Sequence, residues 1–162
     1  MPFGPLEPHP RHPELAWAVI VQPRGERHRM EFHAQRESFV STDRESLLYR
    51  QRFKGARGWV AGFGEPPSPH LPVLVLTSAQ PQSGDVLEVR LAGLFRHADG
   101  DHELLAVDVH EPPPHGAVDL RDLPTPTLAM LDRLYPEVGA GEGWYGAEEA
   151  RAHLAAGTPV RP

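Results

Sequence analysis

Three groups of side chains in this sequence have the chemistry of a functional site: ten histidines, two aspartates in one predicted turn, and a run of arginines. The histidines include two close pairs, His9 with His12 and His97 with His102. Imidazoles bind zinc, but neither pair has the further ligands of a known zinc pattern, and the chain contains no cysteine. Solvated surface histidines are the simpler interpretation, and a metal site is the alternative.

The two aspartates, Asp99 and Asp101, lie on either side of Gly100 between two segments with strand patterning. An Asp-Gly pair in this setting favours a tight hairpin turn, in which aspartate commonly hydrogen-bonds its own backbone. The same two carboxylates at the tip of a hairpin are also suited to active-site chemistry. The residues alone leave both interpretations open.

The arginines belong to a basic stretch over residues 42–58, and they too have two interpretations. They can form a solvated face, which is the usual place for charged side chains, or an anion site, because guanidinium groups match phosphate oxygens. The basic side chains are Arg44, Arg50, Arg52, Lys54 and Arg57. The sequence has no serine–histidine–acid order, glycine-rich phosphate loop or HExxH motif.

The element that must carry the two aspartates is a long hairpin over residues 84–110. Apolar residues recur at every second position on both sides of the turn, which is the period of a half-buried strand. These residues are Leu87, Val89 and Leu91 before the turn, and Leu105, Val107 and Val109 after it. Gly93 interrupts the first strand and predicts a bulge or bend there.

The remaining patterns predict short strands first and helices last. Strands are predicted over residues 15–22, 29–34, 38–41, 59–63 and 73–77, and the turn at 23–26 predicts that the first two form a hairpin. Thr125 as N-cap and Pro126 at the first helical position predict a helix up to Tyr135, and a last helix is predicted over 147–156. The proline-rich segment 65–72 lacks the backbone donors of a helix or a central strand. The fold class is therefore α+β, mainly β, with a small barrel.

Length and composition set the wider limits. The 162 residues and their 19 prolines predict a proline-rich N-terminal arm over 1–14 and a single domain over 15–162. No apolar run reaches membrane-spanning length and no signal peptide is recognisable, so we expect a cytoplasmic protein without membrane contact. The net charge of −6 argues against binding to a nucleic-acid backbone.

A series of short motifs resembles the soluble (family I) inorganic pyrophosphatases, in the correct order over about residues 15–156. Each piece is weak alone, but their common order makes chance an unsatisfactory explanation. The matching pieces are Trp17-Ala-Val-Ile-Val-Gln-Pro23, Arg29-Met-Glu-Phe32, Asp43-Arg44, Arg57-Gly-Trp-Val60, Pro72-Val-Leu-Val75, the run from Ser83 to Leu94, Asp101-His-Glu-Leu-Leu-Ala-Val107, Asp122-Leu-Pro124 and Glu142-Gly-Trp144.

The resemblance implies an OB-like five-stranded barrel with two helices late in the chain, and self-association, since bacterial members form hexamers. It also implies magnesium-dependent hydrolysis of diphosphate, in which metal-bound carboxylates activate a water molecule. The family positions that survive as catalytic remnants are Glu31, Asp99, Asp101 and Tyr135, of which Asp99 and Asp101 would be metal ligands. Arg29, Arg44 and Arg57 occupy substrate-side positions and would bind phosphate.

The sequence departs from the family where the chemistry resides. The signature Asp-Gly-Asp-Pro-X-Asp matches residues 67–72 here, and its three aspartates are replaced by proline, which has no side-chain oxygen. Further departures are Val21 for glutamate, Phe53 and Arg57 for tyrosine, Glu103 for lysine and Pro136 for lysine. The resemblance therefore implies a degenerate member with magnesium binding weak or lost.

Three hypotheses follow for function. The first is a protein that has lost most or all diphosphate hydrolysis and binds a phosphorylated or other anionic ligand through Arg29, Arg44 and Arg57 without metal. The second is a structural or regulatory oligomer subunit whose old cleft is closed. The third is a residual magnesium-dependent diphosphatase that uses Glu31, Asp99 and Asp101.

Overall fold

The computed structural model describes residues 6–112 and 119–159, in which strands dominate the first two thirds of the chain. The strands are β1 (Leu15–Gln22), β2 (His28–His33), β3 (Ser38–Glu45), β4 (Gly55–Val60), β5 (Pro72–Leu76), β6 (Val86–Arg96), β7 (Glu103–Asp108) and β8 (Gly143–Gly146). The helices are α1 (Leu47–Arg50), α2 (Thr125–Leu134) and α3 (Ala147–Ala156), with a 3-10 turn at Leu120–Asp122.

Five of the strands close into a barrel. The order is β1-β4-β5-β7-β6, and β6 pairs back with β1 to complete the ring. Only the β5–β7 pair is parallel among these neighbours, so the barrel is mixed. β8 adds to the far end of β6, and the predicted α+β, mainly β fold with a five-stranded OB-like barrel is confirmed.

The barrel interior is filled by small and branched apolar side chains taken from alternate positions of all five strands. Examples are Ala16, Ala56, Val73, Val89 and Ala106, and the helix α3 closes one end of this core with Ala150 and Leu154. A second apolar cluster covers the outer face of β5 and β7 and packs against α2. The barrel is narrow because it has only five strands, and barrel diameter grows with strand number.

The long predicted hairpin is present as β6 and β7, with the turn between them at 97–102. The register shifts between Leu91 and Gly93, which confirms the predicted irregularity. The prediction of half-buried alternation was wrong for β7, since every residue of this strand is buried. β7 lies between β5 and β6, with the barrel core on one face and α2 on the other, so neither of its faces meets solvent.

The predicted hairpin between the first two strands was also wrong. β2 pairs with β3 to form a separate two-stranded sheet, while β1 pairs with β4 and β6 inside the barrel. The turn at 23–26 is correct locally, but barrel closure takes both edges of β1, so β2 must find another partner.

The two late helices were predicted closely. α3 has the predicted bounds, and α2 begins one residue early, with Pro124 rather than Thr125 at the N-cap position. β4 was misplaced, because it lies at Gly55–Val60 instead of 59–63. Among the described residues, none of the helices has the length and apolar character needed to cross a membrane.

The described part of the predicted N-terminal arm is attached to the barrel. His9 is 4% exposed, and its Nε2 lies 2.7 Å from a carboxylate oxygen of Glu88 in β6. Its ring also packs on Trp17 of β1 at 4.6 Å between centroids. Residues 1–5 of the arm, and 113–118 and 160–162 of the predicted domain, lie outside the described residues, and the domain boundary stays a prediction.

Candidate functional site

An open cleft of about 620 Å³ lies on the outer face of the barrel, between the β2–β3 sheet, α1 and the end of α2. Small-molecule sites in proteins commonly have volumes of this size. Of the residues predicted as site residues, the cleft is lined by Arg29, Glu31, Arg57, Asp101 and Tyr135. Asp99 and Arg44 are outside the lining, although Arg44 contacts it through Glu31.

The best-defined contact in the cleft is an ion pair between Arg57 of β4 and Glu103 at the start of β7. The guanidinium donates from Nε to one carboxylate oxygen at 2.8 Å and from Nη2 to the other at 3.2 Å. The register places Arg57 opposite Leu74 and Leu74 opposite Leu105, so Glu103, two residues before Leu105, lies on the same face as Arg57. A single intervening strand therefore separates the two partners.

Burial is unequal across this pair. The side chain of Glu103 is 3% exposed, whereas that of Arg57 is 46% exposed towards the cleft. The nearby Glu103 carboxylate raises the pKa of Arg57 further above its ordinary value, so the guanidinium is always charged. Two of its donors are used by Glu103, and Nη1 has no hydrogen-bond partner among the described residues, which leaves this edge oriented and available for an anion.

Tyr135 follows the last turn of α2 and lies beside this ion pair. Its ring stacks on Phe95 at 4.1 Å between centroids and meets His97 edge-on at 5.1 Å. Burial, together with the negative charge of Glu103, raises the pKa of the Tyr135 hydroxyl above its ordinary range. Tyr135 is therefore a neutral hydrogen-bonding group at physiological pH.

The β2–β3 sheet contributes the β2 residues 29–32 to the cleft lining, and an aromatic cluster attaches this sheet to the barrel. The ring of Phe32 in β2 lies 5.1 Å from both Phe39 of β3 and Trp59 of β4. Arg29 and Glu31 are carried on β2, so this apolar contact positions them relative to Arg57.

Gln22 holds the start of β2 in place. It is 5% exposed at the end of β1, and its Nε2 donates to the backbone carbonyls of Glu26 and His28. Its Oε1 accepts from the backbone N–H of Met30 at 2.8 Å. One buried amide thus satisfies three backbone groups and fixes the backbone on both sides of Arg29.

Glu31 is surrounded by two arginines and a histidine. Arg44 of β3 donates from Nη2 to one of its carboxylate oxygens, and Arg29 Nε lies 4.0 Å from the same oxygen. His33 Nε2 lies 3.8 Å from the other oxygen. The Glu31 charge is therefore balanced by its own sheet, and Arg44 is directed to Glu31 rather than into the cleft.

The two aspartates of the hairpin tip have different environments. Asp99 accepts the backbone N–H of Asp101 at 2.9 Å, which is the turn-forming interaction that Asp-Gly sequences favour. Asp101 lines the cleft, close enough for its charge to raise the pKa of Arg57. The Asp99 side chain thus stabilises the turn, whereas the Asp101 side chain faces the cleft. Their function as metal ligands stays a prediction.

The proline-rich loop at 65–71 borders the cleft where the resemblance to inorganic pyrophosphatases places the signature aspartates. Pro66, His70 and Pro72 line the cleft, and Pro72 is the first residue of β5, opposite Trp59. Pro67 and Pro69 belong to the same loop. Their side chains contain no oxygen, so this edge of the cleft supplies no carboxylate.

The residues present do not fit a centre of several magnesium ions. Hard divalent cations need several oxygen ligands at each site. Within residues 6–112 and 119–159, no three histidine or acidic side chains lie close enough to hold a metal ion together. Two of the three carboxylates that line the cleft, Glu31 and Glu103, instead accept hydrogen bonds from arginines.

Arg57 and Glu103 were each recognised in the sequence as a departure from the family, but the ion pair between them was not predicted. The sequence did contain a signal for this pair, because a cation replaces tyrosine at 57 and an anion replaces lysine at 103. Gln22 was missed as a positioning residue. A polar residue closing an apolar strand directly before a proline was the only sign of its role.

Known proteins of similar sequence and structure agree on one family. The chain is 28% identical to the inorganic pyrophosphatase of Sulfolobus acidocaldarius over 92% of both chains. A crystal structure of the inorganic pyrophosphatase from Ehrlichia chaffeensis superposes with a TM-score of 0.77 at 20% identity, covering 94% of this chain and 99% of that one. The enzyme from Thermus thermophilus superposes with a TM-score of 0.75 at 22% identity, covering 96% of each. No protein-family model matches the chain.

The closed mixed barrel, its late helices and the cleft on its outer face define a protein with the inorganic pyrophosphatase fold. The predicted resemblance to the inorganic pyrophosphatases is also confirmed in sequence, over almost the whole chain.

Proposed function

We propose that this chain is an inorganic-pyrophosphatase-like protein that has lost all or most diphosphate hydrolysis and binds a phosphorylated ligand in its cleft without metal. The observation that supports this most directly is the pairing of Glu103 with Arg57. Each oxygen of the Glu103 carboxylate accepts one hydrogen bond from Arg57, and the positive charge of the guanidinium would repel a metal ion placed beside the pair.

The small number of carboxylates available to metal ions supports the proposed loss of hydrolysis. A mechanism that depends on several magnesium ions needs acidic side chains on more than one side of the substrate. Here the loop that would supply them carries Pro67, Pro69 and Pro72, while Glu31 is bonded to Arg44. Asp101 is the cleft carboxylate with no arginine bonded to it among the described residues, and one carboxylate cannot assemble the ions.

The open cleft favours ligand binding over a purely structural role. Its volume of about 620 Å³ is large enough for a small molecule, and the free edge of Arg57 faces it. Arg29, carried on β2, contributes a second, half-exposed guanidinium to the lining. Self-association through the barrel surface stays a prediction beside this proposal.

A phosphate-release assay with diphosphate and excess magnesium tests the catalytic part. We expect no phosphate release above the protein-free control, with an active inorganic pyrophosphatase as the positive control. Turnover that is abolished by Asp101→Asn, and retained in the variant Asp85→Asn outside the cleft, would instead establish a residual diphosphatase.

Titration calorimetry in the presence of EDTA tests the binding part, with inorganic phosphate, diphosphate and nucleotides as probes. We expect binding of at least one probe that is weakened by Arg29→Ala and unaffected by Arg36→Ala, an exposed arginine outside the cleft. Arg57→Ala is unsuitable as the main variant because it also leaves Glu103 buried without its partner. Absence of heat with every probe would refute the binding proposal.

A further inference from the structure

About half of the residues that line the cleft are apolar. Apolar side chains reach it from α1, from the end of α2 and from the proline-rich loop, including Leu47, Leu48, Leu134 and Pro66. Leu47 is 47% exposed, although a leucine on the first turn of a helix could as easily have been polar. A hydrated inorganic ion gains nothing from such surface, whereas an organic ligand removes it from water.

The charges of the cleft are nearly balanced. Two guanidinium groups, Arg29 and Arg57, line it together with three carboxylates, those of Glu31, Asp101 and Glu103. Arg44 lies behind Glu31 and offsets that carboxylate. In the absence of metal ions, such a cleft has little net attraction for a multiply charged diphosphate, which its carboxylates would repel more strongly than a phosphate monoester.

Both guanidinium groups that line the cleft have a carboxylate partner, Glu103 for Arg57 and Glu31 for Arg29, and each keeps donors that can reach a phosphoryl group. Arg57 is held by Glu103 so that Nη1 is directed away from the ion pair, and Arg29 reaches the cleft from β2. Two guanidinium groups are a common complement for the oxygens of a single phosphate. The neutral hydroxyl of Tyr135 adds a hydrogen-bonding group beside them.

We propose that the ligand of this cleft is an organic phosphate monoester with an apolar body, bound in preference to inorganic diphosphate, with the phosphate at Arg57 and Arg29 and the apolar body against α1. This inference rests on the proposed function, since it names the class of phosphorylated ligand that the metal-free cleft takes. The apolar body buries the exposed side of Leu47, and a phosphate monoester brings less negative charge beside Glu31, Asp101 and Glu103 than a diphosphate would.

A pair of matched probes isolates the apolar contribution. Phenyl phosphate and glycerol phosphate carry the same ionic group, but only the first has an apolar body. We expect phenyl phosphate to bind about tenfold more tightly in EDTA, because burial of about 60 Å² of apolar surface corresponds to a factor of this size. Inorganic diphosphate should bind more weakly than phenyl phosphate.

Variants on α1 locate the apolar body. Leu47→Ser should weaken phenyl phosphate several-fold and leave glycerol phosphate unchanged. Tyr49→Ser is the matched control, because Tyr49 is 44% exposed on the same helix and does not line the cleft. Both side chains are exposed, so neither change should prevent folding, and thermal denaturation of each variant verifies this.

The outcomes separate this inference from the proposed function. If diphosphate binds as tightly as phenyl phosphate, or if Leu47→Ser weakens both organic probes equally, the apolar-ligand inference is refuted while metal-free phosphate binding stands. If none of the phosphate compounds binds, the proposed function fails and the inference fails with it.

Discussion

Removing Arg57 is the most informative single perturbation of the cleft. Arg57→Met keeps much of the length of the side chain and deletes the two hydrogen bonds to Glu103. The carboxylate of Glu103 is 3% exposed, so water cannot easily replace the lost donors. The variant therefore leaves a buried negative charge without its partner.

The expected magnitude follows from the unequal burial of the pair. Breaking a fully buried ion pair costs about 3–5 kcal/mol, whereas exposed pairs contribute about 0–1 kcal/mol. Because the Arg57 side chain is 46% exposed, we expect an intermediate loss of about 2–3 kcal/mol for Arg57→Met. For a chain of this length that loss lowers the midpoint of thermal unfolding by about 4–12 °C.

A double-mutant cycle with Glu103→Met, measured by urea denaturation at neutral pH, separates the pair from other effects. We expect a coupling free energy of about 1.5–3 kcal/mol, with the double variant regaining most of the stability that Arg57→Met loses. The exposed pair Arg96–Glu149, whose side chains are 40% and 49% exposed, is the control and should couple by less than about 1 kcal/mol. A coupling for Arg57 and Glu103 no larger than this control would refute the reasoning.

Three further predictions concern the scaffold. Gly58→Ala should cost about 3 kcal/mol or prevent folding, because a Cβ there would lie 1.8 Å from a backbone oxygen of β1; chemical denaturation measures this. Asp119→Ala should cost about 1–2 kcal/mol in the same assay, since its carboxylate accepts the backbone N–H of Ala147 at 3.2 Å and so holds the start of α3. Burial, and then neighbouring basic groups, lower the pKa values of His102 and His153 in the folded protein. The unfolded chain therefore binds more protons, and the free energy of unfolding should fall as the pH drops below about 6.5. His153→Gln should flatten this dependence, as measured by urea midpoints across that pH range.

Each of these predictions has a control. Gly139→Ala places its Cβ only near a flexible carboxylate and should cost far less than Gly58→Ala. Asp122→Ala removes an exposed carboxylate near α2 and should be nearly neutral. His33→Gln lies outside the 102–153 pair and should preserve the loss of stability on acidification. If a control variant changes stability, or its pH dependence, as much as the matching test variant does, the contact named for that prediction does not cause the effect.

Local patterns were sufficient to predict much of the fold. The bounds of β1 and α3, the hairpin of β6 and β7 and the irregularity near Gly93 follow from side-chain periodicity and from turn, bulge and cap preferences. These features depend on neighbours within a few residues, so a single sequence contains the necessary information. The motif order added the five-stranded, OB-like form of the barrel, through the resemblance to the inorganic pyrophosphatases.

Strand partnership could not be predicted in the same way. The hairpin assigned to the first two strands failed because β1 is paired on both edges by β4 and β6, which are distant in sequence. The full burial of β7 has the same origin, since α2 covers its outer face. Pairing and burial of this kind depend on contacts between segments distant in sequence. The spacing of apolar residues within one segment contains no information about those contacts.

The same distinction between local and long-range information applies to the candidate site. The sequence by itself determined which chemical groups are available: prolines where the family has aspartates, a new arginine at 57 and a new glutamate at 103. Only the tertiary structure decided what those groups do, because the barrel register brings Arg57 and Glu103 to one face across β5 and converts two separate substitutions into one ion pair. It also directed Arg44 to Glu31, so the three predicted phosphate-binding arginines do not form one cluster. Charge is a property of each residue, but the potential of a site depends on distances that the fold alone sets.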